Sequence, residues 1–112
     1  MIESYAFGSM VVDGQAYSSD LIIFPEKINT SWWRKSGHRL SLEDLKDVFK
    51  EEPEALVIGT GFNGLMIVDD EVKSEAQAKG IALIIEKTEK AVQKFNVIAS
   101  KKKAIGAFHL TC

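Results

Sequence analysis

Cysteine is nearly absent: Cys112 is the only one in 112 residues. A single thiol excludes an internal disulfide framework and a cysteine-based zinc site. Histidine is almost as scarce. His38 and His109 show no His-x-x-x-His spacing, so no metal site is expected. Long hydrophobic runs are missing. Uninterrupted apolar stretches hold about four residues, such as Leu65–Val68, whereas a membrane span needs roughly 20. The opening Met1-Ile2-Glu3-Ser4 has neither a basic n-region nor an apolar h-region. These gaps predict a soluble, intracellular chain in a reducing compartment, the cytoplasm, with no membrane partner. An excess of positive charge is also lacking. Sixteen acids against 14 bases leave a net charge of -2, which argues against a dedicated nucleic-acid-binding domain.

What is present reads as one globular domain over 1–112. Hydrophobic residues make up 46% and charged residues 27%, and a chain of this length can bury about 60–70% of its unfolded surface. Residues 1–24 carry short strands. Tyr5 and Phe7 alternate with Ala6, Met10-Val11-Val12 begins another run, and Asp13-Gly14 is a strong hairpin signal. Leu21-Ile22-Ile23-Phe24 is a further apolar strand, ended by Pro25. The expectation is an antiparallel β-meander of three or four strands.

Residues 25–112 predict an α/β layer. Ser41 is the expected N-cap of a first helix, with Asp44 three residues on and Leu40 stapling onto Leu45. Leu42, Leu45, Val48 and Phe49 form its apolar stripe. Ala55-Leu56-Val57-Ile58 reads as a strand buried on both faces. A glycine loop, Gly59 to Gly64, precedes Leu65–Val68. A weak helix follows the acids Asp69, Asp70 and Glu71. Residues 81–85 form the next buried strand. Thr88 caps a helix bearing Ala91, Val92, Phe95, Ile98 and Ala99, and 104–110 is the last strand. Strands alternating with helices imply βαβ units and a mostly parallel sheet.

Several stretches then match a known pattern in order along nearly the whole chain. They are Phe7-Gly8, Ser19-Asp20-Leu21-Ile22-Ile23-Phe24-Pro25, Trp33-Arg34, Gly37-His38 and Leu56-Val57-Ile58-Gly59-Thr60-Gly61. Gly80-Ile81, Thr88-Glu89-Lys90-Ala91-Val92 and His109-Leu110-Thr111-Cys112 complete the set. The chain resembles the small adipogenesis-associated domain family, formerly a domain of unknown function, with relatives among mitochondrial complex I assembly factors. The resemblance implies a compact three-layer α/β domain with an added β-meander. It also implies a role in interaction, regulation or assembly, and it brings no catalytic residues with it. Two positions depart from the pattern. Asp69 stands where many relatives have proline, and Ala76 where a larger apolar residue is common.

The chemistry-bearing candidates are few. Gly59-x-Gly61-x-x-Gly64 follows a buried strand, and Gly59, Thr60, Gly61, Asn63 and Gly64 could bring N–H groups to a pyrophosphate or other anion, with Glu86 placed to hold a ribose. The same glycines also suit a plain tight turn. No helix opens at the loop itself, and Asp69, Asp70 and Glu71 would repel a phosphate at the next one. Trp32-Trp33 sits in a polar segment. Adjacent residues on extended chain point oppositely, so one exposed tryptophan is expected, a candidate protein-contact anchor. Arg34, Lys35, His38 and Arg39 form a basic loop that could bind a carboxylate or phosphate, or simply be solvated.

His109 ends the last strand, where α/β sites gather, and could serve as a general base or as a hydrogen-bonded structural group. Residues 86–103 carry six bases and two acids, whereas 1–24 carry three acids and no base. No aromatic residues interleave Lys101-Lys102-Lys103, as nucleic-acid stacking would require.

These observations favour a non-enzymatic protein-binding, regulatory or assembly module. It would use Trp32 and Trp33, need no cofactor or metal, and be able to form a homo-oligomer. The alternative is a small-molecule, anion or nucleotide-binding enzyme built on the Gly59–Gly64 loop with Arg34, His38 and His109.

Overall fold

The computed structural model describes all residues, 1–112. Strands β1 (Ile2–Ala6), β2 (Ser9–Val12) and β3 (Gln15–Tyr17) form an antiparallel three-stranded sheet. Its second turn is the one the sequence specifies. Asp13 and Gly14 both take positive φ, 50° and 82°, as a type I′ hairpin turn requires.

Strand β4 (Leu21–Ile23) leaves this meander, which therefore holds three strands. It pairs antiparallel with the last strand, β10 (Ala104–His109), and sits in a five-stranded sheet of order β5-β4-β10-β7-β9. The reason is burial. All three β4 residues are buried, and the meander has one exposed face, so only the covered sheet can shelter both sides of this strand. Strand β5 (Ile28–Asn29) extends one edge, and β7 (Ala55–Thr60) runs parallel to both β10 and β9 (Ala82–Glu86). Two-residue strands β6 (Arg39–Leu40) and β8 (Ile67–Val68) pair parallel outside the main sheet. Strand β9 is an edge strand. Ala82 is exposed and the other four residues are half-buried, so the expected burial of 81–85 is not reached.

Alternate residues of the central strands point into two cores. Leu56, Ile58, Ile105 and Ala107 meet Leu45, Val48 and Phe49 around α1 (Lys46–Lys50) and Val72 and Ala76 of α2 (Asp70–Ala78). Ala55, Val57 and Phe108 meet Ala91, Val92 and Phe95 of α3 (Thr88–Ala99) and Ile2, Met10 and Val12 of the meander. The result is the expected compact three-layer α/β domain with a mostly parallel centre. No helix is long and apolar enough to cross a membrane.

Two expected helix caps are used differently. Ser41 donates both its N–H and its hydroxyl to Asp44 Oδ2, each at 2.9 Å, and a 3-10 turn over Glu43–Leu45 precedes α1. The return half of a capping box forms, while the serine hydroxyl caps no helix N–H. Thr88 lies inside α3 with its hydroxyl turned into the core, and Lys87 takes the cap position without a side-chain bond.

Candidate functional site

The carboxyl ends of β7 and β10 lie side by side, with His109 opposite Thr60. Asp20, just before β4, reaches the same place. Its Oδ2 is 2.7 Å from His109 Nδ1 and 2.6 Å from Arg34 Nη1, and its Oδ1 accepts the Leu110 N–H at 2.8 Å. Arg34 Nη2 also donates to the Gly37 carbonyl and lies 3.1 Å from His109 Nδ1. The guanidinium stacks over the Trp32 ring, 4.9 Å from its centroid. The Arg34 and His109 side chains are only 5% and 8% exposed, so this is a nearly buried hydrogen-bonded triad built around the Arg34–Asp20 ion pair.

Burial alone would raise the Asp20 pKa. Hydrogen bonds from His109, the Leu110 N–H and Arg34 outweigh it and hold the carboxyl at about 2. An ionised carboxylate has no proton to give, so we assign the shared hydrogen to His109 Nδ1. The carboxylate thereby fixes the ring's orientation, as in base-orienting dyads. Here, however, Nε2 is sealed from solvent and has no hydrogen-bond partner.

The triad unites two sequence candidates, Arg34 and His109, through a third residue, Asp20, that belongs to no chemical motif in the sequence. Ser18-Ser19-Asp20 reads as strand punctuation. The signal that marks Asp20 is its place as the acid directly ahead of a fully apolar strand. The remaining basic-loop residues do not join. Lys35 pairs with Glu43 at 3.1 Å and Arg39 with Asp69 at 2.5 Å. The His38 residue is exposed, and its carbonyl accepts the Ile67 N–H.

The glycine loop is tied into the chain's own backbone. The Gly61 N–H donates to Thr88 Oγ1, Phe62 to the Thr111 carbonyl, Gly64 to Gly61, Leu65 to Cys112 and Met66 to Thr60. Gly61 has φ 107°, and a Cβ there would lie 2.4 Å from the Cys112 carbonyl carbon. Residues 109–112 thus fill the switch-point crevice where open α/β sheets usually take ligands. The same four residues form a seam. The Leu110 carbonyl accepts the Gly8 N–H and the Tyr5 hydroxyl, and the His109 carbonyl accepts the Thr88 hydroxyl at 2.7 Å. Glu86, placed by sequence near a ribose, instead pairs with Lys94 at 2.6 Å, and that bond draws its pKa down.

Fully buried Thr88 bridges the Gly61 N–H and the His109 carbonyl. Thr88→Val keeps the shape and removes the bridge, leaving the Gly61 N–H unpaired. We expect a loss of about 1–3 kcal/mol, read as a lowered urea midpoint with an unchanged m-value.

Several apolar side chains are exposed at and beside the loop. The stretch 55–68 contains no charged residue. Met66 and Val68 point inward, while Leu65 and Ile67 are exposed, 52% and 61%. Exposed Phe62 packs edge-on against exposed Phe7 with centroids 5.9 Å apart. The tryptophan pair splits. Trp32 is buried and donates its Nε1–H to the Asp44 carbonyl, whereas Trp33 is 77% exposed. Asn63 is exposed at the loop tip.

This architecture defines a class: a small mixed α/β domain whose crevice is closed by the residues that follow its last strand and whose loop exposes apolar side chains. Residues 2–110 match the family described as protein of unknown function (DUF498/DUF598), and the chain belongs to that family. Solved structures share the fold. A conserved hypothetical protein from Pyrococcus horikoshii OT3 is 25% identical, with a TM-score of 0.84 over 100% of this chain and 99% of that one. A Xanthomonas campestris protein is 20% identical, with a TM-score of 0.84 over 98% and 83%. A Bartonella henselae protein described as an outer membrane protein is 24% identical, with a TM-score of 0.82 over 99% and 94%.

Proposed function

We propose that this chain is a non-enzymatic, cytoplasmic protein-binding module of the regulatory or assembly kind. The observation that carries the reading is the group of exposed apolar side chains Phe7, Phe62, Leu65 and Ile67, at and beside the Gly59–Gly64 loop. Depletion of charge with enrichment of aromatic residues marks interface cores. The partner is a different protein offering a matching apolar surface. Exposed Trp33 supplies a second anchor of the type that dominates interface energetics. The sequence resemblance to adipogenesis-associated domains and assembly factors supports the same reading. So does the sealed His109 Nε2, which leaves the triad orienting a loop instead of meeting a substrate.

The test compares wild type with Phe62→Ser/Leu65→Ser as bait in the native cells. Both positions are exposed, so we expect thermal unfolding within about 0.5 kcal/mol of wild type. The expected outcome is a protein retained by wild type and lost by the variant, which then binds purified wild type at fixed stoichiometry. Identical retention by both baits overturns the proposal. Self-association of wild type that the variant abolishes, seen by sedimentation, replaces the foreign partner with a second copy.

A further inference from the structure

A cleft of about 500 Å³ opens between the β4–β5 hairpin and the carboxyl end of α3, on the α3 side of the sheet. Its volume falls within the range of small-ligand sites. The floor is apolar: Ile23, Phe24, Phe95 and Ala104 are buried residues that line it, with Ile28 and Ala99 beside them. The rim carries Lys27, Lys102 and Lys103. None of the three ammonium groups forms a salt bridge, although the Lys103 backbone N–H donates to Glu54 Oε2 at 2.8 Å. Lys27 lies over the Phe24 ring, 5.0 Å from its centroid, and the Lys103 ammonium bonds the Glu51 carbonyl. The acids in the cleft are Asp13, held at 2.6 Å by the Met1 amine, and Glu26. Cations without an ion-pair partner beside an apolar floor attract a counter-charge more strongly than they would on open surface.

We propose that this cleft binds a small amphipathic anion. Its apolar body lies on Ile28, Phe95 and Ala104, and its single anionic head lies among Lys27, Lys102 and Lys103. The site stands apart from the exposed apolar side chains at the Gly59–Gly64 loop and does not depend on them.

The experiment titrates the full chain with octanoate, octanol and octylammonium, following backbone amide NMR shifts. Octanoate should give saturable shifts at Phe95, Ala99, Lys102 and Ala104. Octanol should bind about tenfold more weakly or worse, and octylammonium should give no saturable shift. Lys27→Glu/Lys102→Glu should weaken octanoate by about tenfold or more. Ala99→Trp, at an exposed helix end, should fill the cleft and abolish binding while leaving the spectrum of the other layer unchanged. Equal affinity for octanoate and octanol overturns the proposal, as does saturable binding that survives Ala99→Trp. Sedimentation with phosphatidylglycerol vesicles that free octanoate fails to displace would assign the lysines to a membrane surface and overturn the small-ligand reading.

Discussion

Asp20→Ala is expected to destabilise the domain by about 3–5 kcal/mol, because it strands the Arg34 charge and the His109 ring in a nearly dry site. In a domain of this size that lowers the melting temperature by more than about 10 °C. The control is Asp20→Ala/Arg34→Met. Removing the guanidinium as well leaves no unpaired buried charge, so the double variant should be more stable than the single one. If the double variant is the less stable, the triad is not acting as a coupled unit. Acid should trace the same interaction. The Asp20 carboxyl is held at about 2, below its usual 3.8. A depressed folded-state pKa gives stability that is complete above 3.8 and is lost as the pH falls towards 2. With allowance for water access, this contribution is about 1–2 kcal/mol. Urea midpoints taken from pH 5 down to pH 2 should fall for wild type and fall less steeply for Asp20→Ala.

Gly106→Ala should cost about 3 kcal/mol, although glycine to alanine in a strand is ordinarily favourable. A Cβ at Gly106 would stand 2.5 Å from Phe108 Cε2 and 2.9 Å from Phe95 Cδ1. The fully buried Phe108 ring lies in a bed formed by Gly106 and by Gly59, the residue opposite it on β7. It also packs edge-on against Phe95 at 5.7 Å. Neither ring can withdraw without opening the core between α3 and the sheet. Gly37→Ala is the matched control, since nothing lies within 4 Å of its Cβ position. It should change stability by no more than about 0.5 kcal/mol. Chemical denaturation of both variants decides the point, and equal effects would remove the packing argument.

The two predictions differ in how far the sequence alone could lead to them. Phe108 and Phe95 lie on predicted elements, so their burial is legible from period and apolarity. That Gly106 must be glycine is not, because the need arises only once Phe108 folds back over its own strand and across β7. The triad was half legible. Arg34 stands out in the sequence as part of a basic loop and His109 as a strand-end histidine. Asp20 carries only the local signal of a strand boundary, and the bond that joins it to His109 spans 89 residues. The glycine loop was the sharpest motif. Its dihedral requirement was readable, but its acceptors, the carbonyls of Thr111 and Cys112, lie about 50 residues further on.

The sequence by itself determined the local choices: the Asp13-Gly14 turn, the apolar faces of α2 and α3, and the double-sided burial of β7. Each follows from backbone sterics or from a short period that neighbouring residues share. Tertiary structure alone decided which sheet β4 joins, where the Thr88 hydroxyl points and which tryptophan stays exposed. It also decided that residues 109–112 close the crevice. Those outcomes depend on burial and hydrogen-bond partners brought together from distant parts of the chain, and no local pattern encodes that requirement.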